Sequence, residues 1–357
     1  MSERVLAVAN QKGGVGKTTT AVSVAAALAE MGQRVLLVDL DPQGNATTGL
    51  GIDPRGLERT MYDVLVRGEP LEDAIEGTAV RNLFAAPSSL DLAGAEIELV
   101  SMFSRERKLA QALGPVRKDY DFIFVDCPPS LGLLTVNALA AATEVLIPVQ
   151  CEYYALEGVA QLIRNVMLVR EDLNPDLVIS TIVLVMYDGR TRLADQVSQE
   201  VRAHFGEKVC ETIVPRSVRL SEAPSHGLPI TVFDPGSRGA HAYRKVAREI
   251  LVSPPGSRGD AERVDAAASG GVADGSDEVT AAVSEVDGAG AADDDPAQTG
   301  DGAAPRTGTT AMTEAGVDAA GIGAAGTETA VGDGASSVSA ETTGVGRARL
   351  ASGWGGA

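Results

Sequence analysis

Gln11-Lys12-Gly13-Gly14-Val15-Gly16-Lys17-Thr18-Thr19 is the stretch on which the fold turns. Glycines let a backbone approach a ligand closely and turn its N–H groups inward. The Gly-Lys-Thr-Thr that ends the stretch opens a helix, whose N-terminus favours an anion. Together these point to bound phosphates. Gly13, Gly14, Val15, Gly16 and Thr19 form the cradle, Lys17 reaches the β- and γ-phosphates, and the Thr18 hydroxyl holds Mg²⁺.

Outward from the loop, the pattern supports it. Arg4–Ala9 is a short apolar run, a buried strand. Thr18–Met31 is Ala-rich with helical spacing, and Gly32 stops it. Arg34–Val38 is a second strand, ending in Asp39-Leu40-Asp41-Pro42. Further along, the spacing predicts helices over 60–67, 90–102, 105–113, 131–142, 159–170, 193–205 and 240–251. It predicts strands over 122–125, 145–149, 177–185 and 212–214. Strands alternating with helices imply an α/β fold: a doubly wound, mostly parallel sheet with helices on both faces, as in P-loop nucleotide hydrolases. Ligands sit at the carboxyl ends of such strands. The polar clusters follow Ala9, Val38, Val125 and Val149, where that rule places them.

The loop departs from the ordinary phosphate-loop pattern, because position 11 is Gln rather than Gly and a second lysine, Lys12, precedes the double glycine. Two lysines so close repel each other unless several negative charges lie between them, and a triphosphate supplies those. Asp39 and Asp41 flank Leu40, so in an extended segment both face one way. One can position the attacking water while the other stands near Mg²⁺. Asp126 ends an apolar strand, as an Mg²⁺-holding aspartate does.

Composition divides the chain. Residues 1–252 carry apolar runs enough for a large core. Residues 253–357 are Ala, Gly, Asp, Glu, Ser and Thr with almost no large apolar side chain, which predicts a disordered acidic tail. The net charge is −19, and about a dozen of the excess charges fall in the tail. An acidic, Lys-poor folded part suits a very salty cytosol; a merely acidic protein is the alternative. Cys127, Cys151 and Cys210 make neither a disulfide framework nor a CxxC pair, which fits a reducing cytoplasm. Val5–Ala9 is too short for a signal peptide, and no apolar stretch reaches about 18 residues.

The strings KGGVGKTTT, VLLVDLDPQGNATTGLG, FIFVDCPPSLG and VPRSVRLSEAPSHG resemble the ParA/Soj partition ATPases. These belong to the group with a deviant Walker A motif, which also includes MinD-type proteins and the nitrogenase iron protein. The resemblance runs from Val5 to about Leu251. It implies that Lys12 reaches the partner's nucleotide across an ATP-dependent homodimer, and that Asp41 positions the attacking water. It places the adenine near Pro215 and Ser217. With no Asn-Lys-x-Asp guanine signature, ATP is the expected nucleotide. It also implies nonspecific DNA binding through arginines, with Arg190, Arg216 and Arg219 as candidates and Arg192 and Arg244 behind them. The implied role is slow, partner-stimulated ATP hydrolysis that segregates plasmid or chromosomal DNA on the nucleoid, with a ParB-like centromere-binding protein as partner.

A MinD-like membrane or polar positioning ATPase is the alternative. It calls for a basic amphipathic helix, which the glycine-rich GVGRARLASGWGGA does not supply. An electron-transfer relative would need cysteine ligands, and Cys127 and Cys151 are not flanked as such ligands are.

Overall fold

Val5 and Ala7 pack on one face of the first strand and Leu6 and Val8 on the other, and none is exposed to solvent. That two-sided burial is why the strand reads as an unbroken apolar run rather than an alternating one. The computed structural model describes residues 3–152 and 155–253. In order these form β1 (Arg4–Val8), α1 (Lys17–Glu30), β2 (Val35–Asp39), α2 (Asn45–Gly49), β3 (Glu76–Gly77), β4 (Leu83–Ala86), α3 (Leu92–Leu99), α4 (Lys108–Leu113), β5 (Phe122–Asp126), α5 (Leu133–Ala141), β6 (Glu144–Gln150), α6 (Ala155–Asp172), β7 (Val178–Val185), α7 (Arg192–Phe205), α8 (Val218–Glu222), α9 (Ile230–Phe233) and α10 (Arg238–Val252).

The strands make one seven-stranded sheet in the order β3-β4-β2-β5-β1-β6-β7. Every pairing is parallel except that of the two-residue edge strand β3 with β4. From β1 the chain reaches β2 on one side through α1; from β5 it reaches β6 on the other side of β1 through α5. The direction of winding therefore reverses around β1, which opens a crevice at the carboxyl ends of β1, β2 and β5.

Helices cover both faces. Leu6, Leu37 and Phe124 pack with α1 and α10 on one side; Val5, Leu36 and Ile123 pack with α5 and α6 on the other. Two buried polar ties fasten α10. Thr20 Oγ1 of α1 lies 3.1 Å from Tyr243 Oη of α10, fully buried. Arg4 makes a buried two-pronged pair with Glu144 at 2.7 Å and donates to the carbonyls of Ile250 and Ser253 at the end of α10.

The sequence expectations meet three local corrections. Residues 60–67 are not a plain α-helix: Asp63–Arg67 is a π-turn, closed by the Gly68 N–H on the Asp63 carbonyl with Gly68 at φ 73°. Residues 212–214 form no strand; the segment only bridges the edge of β7, with Val214 N donating to Leu184 O at 2.8 Å and Tyr187 N to Val214 O at 3.1 Å. Conversely β4 (Leu-Phe-Ala-Ala) lies where the spacing predicts nothing, because four residues with two alanines carry little strand signal. The expected tail, Ser253 apart, lies outside the described residues. Among the described residues no helix is long and apolar enough to cross a membrane.

Candidate active site

The loop between β1 and α1 is pinned at its start. Asn10 Nδ2 donates to the Pro148 carbonyl on β6 at 2.8 Å, and its Oδ1 accepts from Lys12 N at 3.1 Å. Gly14 and Gly16 sit at φ 74° and 80°, a region that disfavours any side chain. Gly16 is the N-cap of α1, and no side chain caps the first turn. Its N–H groups are left for a ligand. Val15 is buried, so only its backbone can serve the cradle. Lys17 is buried too, and its ammonium donates to the Lys12 carbonyl at 3.3 Å. Burial lowers its pKa, while Asp126 and Asp41 oppose the shift.

Three aspartates lie beyond the loop, each in a different state. Asp126 ends β5, is fully buried, and has no hydrogen-bond partner of good geometry on either carboxylate oxygen. Burial, with the Asp39 carboxylate added, pushes its pKa well up; the Thr18 hydroxyl and Lys17 pull the other way without winning. An orphaned buried carboxylate beside a threonine hydroxyl is what an Mg²⁺ site needs before the ion arrives. The donor set of Thr18 and Asp126 fits that ion.

Asp39 closes β2 directly opposite Asp126, and its carboxylate is held by its own neighbours. Its Oδ2 accepts from Thr47 N at 2.8 Å and Thr47 Oγ1 at 2.7 Å, and its Oδ1 from Asp41 N at 3.1 Å. Asp39 thus fastens the 41–47 turn and α2. Burial raises its pKa to about 6. Asp41 is the one that reaches the cavity; its Oδ1 accepts from Gln43 N at 3.0 Å.

A cleft of about 410 Å³ runs over the loop, lined by Gly13, Gly14, Gly16, Lys17, Thr18 and Thr19 on one side and Asp41 on another. A smaller one of about 200 Å³, lined by Pro215 and Ser217, adjoins it across Gly16, Thr19, Met186 and Leu220. Lys12 lines neither. Its ammonium points out of the loop, 3.5 Å from Glu152.

Comparison with known proteins agrees with this geometry. A family model described as an AAA domain matches residues 3–179. The sporulation initiation inhibitor protein Soj of Bacillus subtilis is 56% identical over 250 residues, 70% of this chain and 99% of Soj. The chromosome partitioning protein ParA of Myxococcus xanthus is 52% identical over 248 residues, 70% of this chain and 88% of ParA. The chain belongs to the Soj/ParA family of partition ATPases. A cobyrinic acid a,c-diamide synthase from Mycobacterium smegmatis, solved with ADP and magnesium and with an ATP analogue and magnesium, is 41% identical with a TM-score of 0.61. The match covers 70% of this chain and 94% of that one.

The three leading candidate DNA arginines of this ParA-type chain are engaged with its own acids. Arg190 pairs with Asp188 at 2.6 Å, Arg216 with Glu152 at 3.3 Å, and Arg219 with both Glu222 and Asp234 at 2.9 Å. Arg192 is exposed at the start of α7. Arg244 is a structural residue: it pairs with Glu30 at 2.8 Å and donates to the carbonyls of Pro235 and Thr231. All three cysteines are buried, and none is in a disulfide among the described residues.

Sequence reasoning left one wall of the cleft unassigned. Ala223, Pro224, Leu228, Pro229 and Ile230 close it, with Met186. Ala223 and Pro224 belong to the Ser-Glu-Ala-Pro-Ser-His-Gly string, and Leu228, Pro229 and Ile230 follow it. Met186 stands at φ 53°, unusual for a residue with a side chain, and its methyl would lie 3.6 Å from a Cβ at Gly16. No spacing rule signals such a residue.

Proposed function

We propose that this chain is an ATP-driven switch that dimerises on binding ATP and Mg²⁺, binds DNA without sequence preference as a dimer, and resets by slow hydrolysis while segregating a chromosome or plasmid. The observation that carries it is the placement of the two loop lysines. Lys17 is turned into the cleft and Lys12 out of it. A lysine turned outward from its own loop is available to a nucleotide held by a second copy, as an arginine finger is. ATP then becomes part of the subunit interface, and loss of the γ-phosphate loosens it.

Within one subunit the loop N–H groups and Lys17 bind the phosphates. Asp41 holds the attacking water in line, and Pro215 and Ser217 border the base. Thr18 and Asp126 would hold Mg²⁺, which when bound neutralises charge on the β- and γ-phosphates. Asp39 acts at one remove, by fixing Asp41. Arg190, Arg216 and Arg219 supply the DNA contacts, and two copies of so small a set are needed on an acidic surface. The partition relatives support a ParB-like partner that stimulates hydrolysis, and a working place on the nucleoid. Residues 253–357 we take as a separate acidic arm.

Co-sedimentation with DNA in ATP, in ADP and without nucleotide tests this reading. Pelleting that depends on ATP supports it. Binding to anionic liposomes in place of DNA would instead favour a MinD-like positioning ATPase.

A further inference from the structure

One carboxylate in this chain serves two cations with different tasks. Glu152, just past β6, has Oε2 3.5 Å from Lys12 Nζ and Oε1 3.3 Å from Arg216 Nη2; Gln150 Nε2 also donates to Oε1, at 2.5 Å. Lys12, Glu152 and Arg216 line a cleft of about 580 Å³ beside the phosphate loop, with Asp188, and Gln150 braces the Glu152 carboxylate. The backbones on both sides are fixed. Asn10 holds the amide of Lys12, and Arg216 N donates to Tyr187 O at 2.9 Å. Only the side chains are free to leave, and they are accessible enough to do so: exposures are 36% for Lys12, 45% for Glu152 and 59% for Arg216.

We propose that Glu152 is a positioning residue that restrains both Lys12 and Arg216, holding the first back from the partner subunit's nucleotide and the second back from nucleic-acid phosphate. This rests on the dimer and DNA roles proposed above. Each cation must leave Glu152 to act, so the carboxylate sets a threshold on both steps. The threshold is low, because half-exposed ion pairs are weak and salt-screened. It is suited to an equilibrium that ATP must tip and hydrolysis must reverse.

Glu152→Gln in the full chain tests this. The variant keeps shape and removes the charge. In low salt it binds a DNA duplex about two- to five-fold more tightly in ADP, the range expected of an exposed ion pair, and light scattering shows its dimer at a correspondingly lower ATP concentration. Both differences shrink at high salt, which a purely structural role would not produce. Glu152→Gln with Arg216→Ala loses the DNA gain and keeps the dimer gain. Unchanged DNA affinity together with an unchanged or weakened dimer overturns the role of Glu152 alone, provided that wild-type protein dimerises and pellets with DNA in ATP. A wild type that does neither overturns the underlying reading and this inference with it.

Discussion

Asp39 and Asp126 stand directly opposite each other on neighbouring parallel strands, and neither is exposed to solvent. Two buried carboxyls side by side cannot both ionise cheaply, and only Asp39 has its own hydrogen-bond donors. The pair costs the ligand-free protein stability and makes a place for a cation. Both groups hold their protons to higher pH in the folded chain than in the unfolded one, so stability falls as pH rises from the ordinary carboxylate range through about 6. Asp126→Asn should stabilise the nucleotide-free protein at pH 7.5 by about 1–3 kcal/mol, seen as a Tm several degrees higher. It should flatten the loss of stability as pH rises above the ordinary carboxylate range and abolish Mg²⁺-dependent ATP hydrolysis. A lower Tm at pH 7.5 would show that Asp126 has a stabilising partner.

Lys12 and Lys17 differ in burial and direction, and their alanine variants should differ accordingly. Lys17→Ala removes the cation that faces the cleft, so nucleotide binding itself should fall by at least about ten-fold, the scale of one charge-assisted hydrogen bond. Lys12→Ala should leave most monomer binding intact and abolish the ATP-dependent dimer. Fluorescent-nucleotide titration beside light scattering separates the two. An intact dimer in Lys12→Ala would remove the in-trans role.

Asp41 reaches the cleft while its neighbour two residues back does not. Asp41→Ala should therefore spare binding and slow hydrolysis by about 100-fold or more, the scale of a lost general base or water-positioning group. The variant should accumulate as an ATP-bound dimer on DNA. Single-turnover hydrolysis reads this directly; a normal rate would transfer the role to another group.

Much of this was legible in the residues, and the limits have physical causes. Strands buried on both faces, such as Val5 to Val8, read clearly because every position is apolar. The positions of Asp126 at the end of β5 and Lys17 at the start of α1 read clearly, because an apolar run and a glycine loop mark them. The partners of Asp39 were not legible, because Thr47 reaches its carboxylate only once the 41–47 turn has folded back. The wall formed by Ala223 to Ile230 escaped because it has no period; short helices and prolines are held there by long-range contacts. The Arg216–Glu152 pair escaped because nothing in the sequence places those two residues, 64 apart, side by side.

That wall offers the sharpest test of packing. Gly227 is at φ 63°, and a Cβ on it would lie 2.8 Å from Gly51 Cα and 3.2 Å from Gly51 N. Gly51, itself at φ 79°, ends the stretch that α2 and Asp39 organise. Two bare backbones therefore touch where the cleft wall meets the carboxylate turn, and only a glycine pair permits it. Gly227→Ala must adopt a left-handed backbone and push the two segments apart. It should cost about 1–3 kcal/mol and weaken ATP binding through Pro224 and Leu228, which the turn carries. Gly77→Ala, on the edge strand with open space around it, should change Tm and ATP affinity little. If Gly227→Ala melted and bound ATP like wild type, the glycine contact would have no part in shaping the cleft.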